Sequence, residues 1–162
     1  MPSRPGEELA DELETRQTSR LVRALEMVAP GTALREGIDH VLHARTGGLI
    51  VIGDPDELAF MFSGGIKLEL DYSPAFLYEL SKMDGAIVLS SNATKVVHIN
   101  VQLTPDPTIH TLETGTRHRT AARVAKQTDA LVIAISERRE VVSLFVGGLK
   151  YMLEDIPVVL AK

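Results

Sequence analysis

The sequence predicts an α/β fold: a central mixed, twisted β-sheet flanked by helices. Three observations carry that prediction. Short apolar runs bounded by turn residues read as buried strands. Segments with helical apolar spacing stand before and between them. Hairpin-like returns outnumber strand–helix–strand crossovers, so the sheet is mixed rather than all parallel.

Residues 1 to about 6 are expected to form a disordered lead. From Glu7 to Ala29, the spacing of Leu9, Leu13, Leu21, Val22, Leu25 and Val28 predicts a helix. Pro30-Gly31 stops it. Thr32 then caps a second helix, with Leu34, Ile38, Val41 and Leu42 on one face. After Gly47-Gly48, the run Leu49-Ile50-Val51-Ile52 is a buried strand. Gly64-Gly65 is a turn. Ile66, Leu68, Leu70 and Tyr72 alternate with Lys67, Glu69 and Asp71, which predicts a half-buried strand. Ser73-Pro74 opens a helix that runs to about Lys82, with proline at its first position.

Ala86 to Leu89 is another buried strand, and Lys95 to Leu103 returns beside it after a turn at Ser91-Asn92. Residues 104 to 116 are polar, contain Pro105 and Pro107, and read as a loop. A helix follows from about Arg117 to Thr128. Leu131 to Ile135 and Val141 to Val146 are strands joined by a tight turn over Glu137 to Glu140. Gly147-Gly148 turns the chain into Leu149 to Leu153, and Ile156 to Leu160 are still apolar. The expected division is an N-terminal helical segment over residues 1–30 and one domain over residues 31–162.

The chain has 162 residues, of which 44% are hydrophobic and 24% charged, which is globular rather than disordered usage. Aromatics are only 4%, so the core must be mainly aliphatic. No apolar run is long enough to span a membrane. The acidic N-terminus lacks the basic start and apolar middle of a signal peptide. There is no cysteine, which excludes disulfides and thiolate zinc sites. The expected location is the cytoplasm. The formal charge is −5, from 17 basic and 22 acidic residues, so no broad nucleic-acid surface is expected. Any phosphate must be met by a local cluster.

One such cluster is Gly115-Thr116-Arg117-His118-Arg119-Thr120. It places two arginines and a histidine in the first turn of a helix, where the helix dipole disfavours cations. Unpaired N–H groups point outward at that end. An anion such as phosphate relieves both conditions. Surface pairing of the arginines with Asp106 or Glu113 is an equally open reading. Asp84-Gly85 precedes a buried strand. Beside a phosphate cradle, Asp84 suits Mg²⁺ or Mn²⁺, which take oxygen ligands and bridge to substrate phosphates. By itself the pair reads first as an ordinary turn. Ser136-Glu137-Arg138-Arg139 lies at a strand end, where ligands are often held, but taken alone it reads first as a polar hairpin turn. His40, His43, His98 and His110 lack metal-ligand spacing and are expected on the surface or on helix faces. There is no Walker loop, Rossmann fingerprint or nucleophile elbow.

Asp84-Gly85-Ala86, followed about thirty residues later by Arg117-His118-Arg119, resembles the paired motifs of diadenylate cyclase domains. The resemblance runs from about Leu25 to Leu160 and favours the DNA-integrity-scanning branch over the membrane-anchored branch. It implies a twisted sheet of about seven strands. It also implies condensation of two ATP into cyclic di-AMP across a face-to-face dimer, with full-length members forming octamers. By the same resemblance, Asp84, Arg117, His118 and Arg119 are the catalytic set, with Asp84 as the metal ligand. Gly85, Ala86, Leu103, Gly115, Thr116, Thr120, Ser136 and Arg139 contact the nucleotide, Leu103 at the adenine and Ser136 and Arg139 at phosphates. DNA binding is not expected of this chain. Two other readings stand beside the cyclase: a sensor that binds ATP or cyclic di-AMP without turnover, and a structural oligomerisation domain.

Overall fold

The computed structural model describes residues 5–153. In chain order the elements are α1 (Pro5–Met27), α2 (Ala33–Ala44), β1 (Gly48–Ile52), α3 (Pro55–Leu58), a 3₁₀ turn (Ala59–Met61), β2 (Phe62–Ser63) and β3 (Ile66–Asp71). They continue with α4 (Pro74–Ser81), β4 (Ala86–Leu89), β5 (Lys95–Leu103), α5 (Thr116–Gln127), β6 (Leu131–Ile135), β7 (Val142–Val146) and β8 (Leu149–Met152). The eight strands form one mixed sheet in the order β2-β5-β4-β1-β6-β7-β8, with β3 also paired to β5. Among the described residues only β1 and β4 run parallel; each of the other pairings is antiparallel.

The central strands are buried on both faces, and their period of two sorts them into two cores. Ile50, Ile52, Ile87, Leu89, Ile133, Ile135 and Leu144 face α2 and α4, where Leu34, Ile38, Val41, Leu77 and Leu80 meet them. Val51, Val88, Val132, Ala134 and Phe145 face the other way. There they pack on Ala121, Ala122, Val124 and Ala125 of α5, with Leu58 and Met61. The alanine face lets α5 lie close to the sheet.

Several expectations need correction. Helix α1 already includes Pro5 and Gly6, so the expected disordered lead does not extend to them. Of its expected apolar stripe, Leu21, Leu25 and Val28 pack on the core, whereas Leu9, Leu13 and Val22 are exposed. Periodicity reports a helix, not whether a neighbour covers its whole length. Three short elements between Gly53 and Gly64 had no counterpart in the sequence reading. His98 is neither a surface nor a helix-face residue. It is half-buried on β5, its ring edge-on to Phe62 at 5.0 Å. The apolar segment Ile156 to Leu160 lies outside the described residues.

Capping follows the sequence closely at α2 and α4. Thr32 Oγ1 accepts from the Arg35 N–H at 3.2 Å, and Ser73 Oγ accepts from the Phe76 N–H at 3.1 Å. Asp54 caps α3 in the same way, accepting from the Asp56 N–H at 3.0 Å. Helix α5 differs: its N-cap is Gly115, with φ 85°, and no side chain caps it.

Candidate active site

The turn before β4 and the start of α5 lie about thirty residues apart in sequence, yet both line one open cavity of about 1030 Å³. Its wall includes Asp84, Gly85, Ala86, Leu103, Thr116, Arg117 and Thr120. The sheet explains the meeting. Strand β4 begins at Ala86, β5 ends at Leu103 beside it, and α5 crosses the same face. Asp84 is exposed at the cavity wall, with no hydrogen bond or ion pair to another described residue.

Gly85 carries φ 88°, and a Cβ there would stand 2.8 Å from the Asn100 carbonyl carbon and 2.9 Å from its Cα. Asn100 itself has φ 55°, at the point where β5 loses register with β4. The irregular strand presses its backbone against Gly85, and only glycine accommodates that approach.

Arg117 is the hinge of the site. Its Nη1 donates to the Ile135 carbonyl at 3.0 Å, and its Nη2 lies 3.4 Å from Glu137 Oε1. The pairing reading that named Asp106 or Glu113 is therefore corrected. Asp106 accepts from Thr108, and Glu113 pairs with Lys150. Gly47 makes room for Arg117, since a Cβ there would lie 2.7 Å from Nη1 and 2.5 Å from Glu137 Cγ.

A second, adjoining cavity of about 370 Å³ shares Thr116, Arg117 and Glu137 with the first. It adds Gly115, His118, Ser136, Arg138, Arg139 and Lys150. The Ser136 hydroxyl accepts from the Arg139 N–H at 3.2 Å, which closes the turn after β6. His118 is half-buried, edge-on to Phe145 at 6.3 Å. Burial pushes its pKa below 6.5; Glu113 opposes that shift, while Lys150, Arg117 and Arg139 add to it. The one predicted residue the structure leaves outside both cavities is Arg119, which is exposed on α5. The sequence reading missed Gly47, Arg45 and Lys150 as cavity residues. The Gly-Gly before β1 was a visible signal, but it read as a turn.

A family model described as "DisA bacterial checkpoint controller nucleotide-binding" matches residues 35–149. The chain belongs to this nucleotide-binding family. The "DNA integrity scanning protein DisA" of Carboxydothermus hydrogenoformans is 58% identical over 143 residues, covering 88% of this chain and 41% of the relative. The protein of the same name from Clostridium botulinum is 54% identical over 142 residues, covering 88% and 40%. This DisA-family chain thus spans about two fifths of the length of those relatives. Among solved structures, a protein from Bacillus cereus described as hypothetical and membrane spanning superposes with a TM-score of 0.69 at 22% identity. That match covers 92% of this chain and 78% of the other. DacA from Staphylococcus aureus superposes with a TM-score of 0.61 at 21% identity, covering 78% and 87%. At these identities the structural likeness concerns the fold. Among the described residues, no helix is long and apolar enough to cross a membrane.

Proposed function

We propose that this DisA-family chain is a diadenylate cyclase domain, which joins two ATP into cyclic di-AMP and releases two pyrophosphates. The observation that carries the reading is the shared cavity. It brings the Asp84 carboxylate and the Arg117 guanidinium, from distant parts of the chain, to the wall of one space. The family and its DisA relatives favour the same chemistry. The proposed boundaries are a helical segment over residues 1–30 and the catalytic domain over 31–162.

In this reading the adenine lies against Leu103, and Gly85 and Ala86 line its approach. The triphosphate runs toward α5, whose first turn carries Thr116, Arg117 and His118, with Thr120 one turn on. Ser136 and Arg139 hold phosphates in the adjoining cavity, and Gly115 leaves the first N–H groups of α5 open toward them. Glu137 is a weak, exposed partner for Arg117 and yields to the incoming phosphates. Arg119 then acts from outside one chain's cavity, at the face met by a second copy.

Each chain holds one ATP, and a face-to-face dimer brings the ribose 3′-hydroxyl of one nucleotide to the α-phosphorus of the other. The 3′-oxygen bonds to that phosphorus as the bond to pyrophosphate breaks, and the second half repeats the step. The arginines stabilise charge growing on the leaving pyrophosphate.

Among the described residues, no group of three His, Asp or Glu side chains stands ready for a metal. A lone carboxylate with substrate phosphates is nevertheless how Mg²⁺ or Mn²⁺ is commonly held, and Asp84, free of other partners, fits that role. Held by Asp84, such an ion would lower the pKa of the attacking 3′-hydroxyl, so that its proton passes to solvent, and would neutralise phosphate charge.

The test is to incubate the chain with ATP and Mg²⁺ or Mn²⁺ and measure cyclic di-AMP by mass spectrometry, with Asp84→Asn and Arg117→Glu alongside. Product from the wild type and none from either variant is expected. ATP bound without product sinks the cyclase reading in favour of a sensor, and Arg117→Glu with unchanged ATP affinity sinks the phosphate assignment.

A further inference from the structure

The loop between β5 and α5 doubles back beside the helix. Gln127 Oε1 accepts from the Asp106 N–H at 2.9 Å, Lys126 Nζ donates to the His110 carbonyl at 2.7 Å, and Arg123 Nε donates to the Ile109 carbonyl at 3.1 Å. All three fastenings belong to α5, so they travel with it. Thr104, at the loop's start, is held by the Met61 carbonyl, 2.8 Å from its N–H and 3.0 Å from its Oγ1. The fastening at the loop's far end is different. Lys150 Nζ lies 2.7 Å from Glu113 Oε1 and 3.1 Å from Oε2, and Lys150 stands on β8. This pair ties the end of the loop, two residues before the N-cap Gly115, to the sheet.

Lys150 sits opposite Phe145 in the β7–β8 ladder, with its ammonium 5.7 Å from the Phe145 ring centroid. The same ring meets His118 edge-on. Lys150, Phe145 and His118 therefore form one contiguous stack, with Glu113 closing it from the loop.

We propose that Lys150 and Glu113 are a positioning pair that fixes the start of α5 against the sheet and sets the charge facing His118. Its kinetic consequence rests on the cyclase reading, whereas its electrostatic consequence does not. The charged groups facing His118 are Glu113 from the loop, Arg117 from its own helix, Arg139 from the turn after β6 and Lys150 from β8. Glu113 favours the imidazolium and Lys150 disfavours it, so their removal has opposite effects. A purely mechanical role would loosen the His118 pocket in both cases, relieve burial, and move its pKa upward both times.

The experiment is an NMR titration of the His118 ring in the wild-type chain, Lys150→Gln, Glu113→Gln and Lys150→Arg, with His118→Gln identifying the signal. The expected result is a higher His118 pKa in Lys150→Gln, a lower one in Glu113→Gln and a wild-type value in Lys150→Arg. Upward shifts in both variants overturn the claim that the pair sets the charge at His118, and no shift in either overturns the whole proposal. Should Lys150→Gln not fold, the fall in Glu113→Gln and the retained value in Lys150→Arg decide it in the same way. In the cyclase assay, Lys150→Gln should raise the KM for ATP roughly two- to fivefold, the scale of a partly exposed ion pair, with a smaller change in kcat. Lys150→Arg should restore it, and an unchanged KM in an active Lys150→Gln overturns the positioning role. A wild-type chain that makes no cyclic di-AMP would sink the cyclase reading while the titration still decides the pair.

Discussion

Gly47→Ala separates folding from nucleotide binding at a single atom. Gly47 has φ 69°, and its added methyl would meet Glu137 Cγ at 2.5 Å, Arg117 Nη1 at 2.7 Å and Arg117 Cζ at 3.2 Å. The backbone term is about 1–2 kcal/mol, the usual cost of a left-handed conformation for a residue with Cβ. The contacts are with side chains rather than backbone, so both neighbours can move aside and the fold is kept. Their displacement is what matters. Arg117 would leave the Ile135 carbonyl, a charged hydrogen bond at 3.0 Å, and with it the position from which, in the proposed function, it meets phosphate. Losing one such charge-assisted contact is worth about 1.5–3 kcal/mol, or roughly ten- to a hundredfold in ATP affinity. Gly31→Ala is the control, because Gly31 has φ 94° and nothing within 4 Å of the added methyl. Urea unfolding should show both variants folded, with Gly47→Ala the more destabilised by its lost Arg117–Ile135 bond, and calorimetric ATP titration should show only Gly47→Ala losing affinity. Wild-type affinity in a folded Gly47→Ala would refute the placement of Arg117 as a phosphate ligand.

Two further outcomes follow from the geometry. Gly85→Ala should be far more damaging to folding than Gly47→Ala, because its methyl meets strand backbone at Asn100 and Val101 rather than side-chain ends. Urea unfolding should show a loss of about 3–5 kcal/mol, and a loss below ~1 kcal/mol would mean the β4–β5 contact is easily relaxed. His118 and His98 both have pKa values held below 6.5 chiefly by burial. The unfolded chain therefore binds more protons than the folded one below about pH 6.5, so stability is fully present above that value and falls as pH drops through the window toward the folded pKa values. Unfolding midpoints at about pH 7.5 and about pH 5.5 should differ in that direction, and His118→Gln should flatten part of the slope; a flat wild-type profile would contradict the burial of both rings.

How much could be read in advance depended on whether the cause was local. The Thr32 and Ser73 caps act within three residues, and both were legible. The strands Ile50–Ile52, Ala86–Leu89 and Leu131–Ile135 announce themselves because burial on both faces requires apolar residues throughout. Helix α3 was missed although Asp54-Pro55 repeats the grammar of Ser73-Pro74, because four residues give no periodicity to recognise. Strand β2 is two residues long, held by its pairing to Leu103 and Gln102, and no local pattern marks it. His98 followed the alternation of β5, yet its contact with Phe62 depends on that same unseen strand. At the site, the chemistry of Arg117 and Asp84 was visible as residue types and as a family resemblance. Their meeting at one cavity depends on β5 lying beside β4, which no spacing encodes.

The start of α5 gives the physical reason for reading the site as functional rather than structural. Helices α2, α3 and α4 each begin with a side-chain oxygen that accepts from the first turn. Helix α5 begins with a glycine that offers none, has no acidic residue in its first turn, and places Arg117 and His118 there instead. The positive end of the α5 dipole therefore meets cations rather than the side-chain oxygen that caps α2, α3 and α4. Glu137 offers Arg117 only a long, exposed contact, and Glu113 is already committed to Lys150. The positive charge is thus left under-compensated in a cavity with room for a ligand. In the proposed function a bound triphosphate would supply the missing anion, and relief of the charge at this helix start would become binding energy for it.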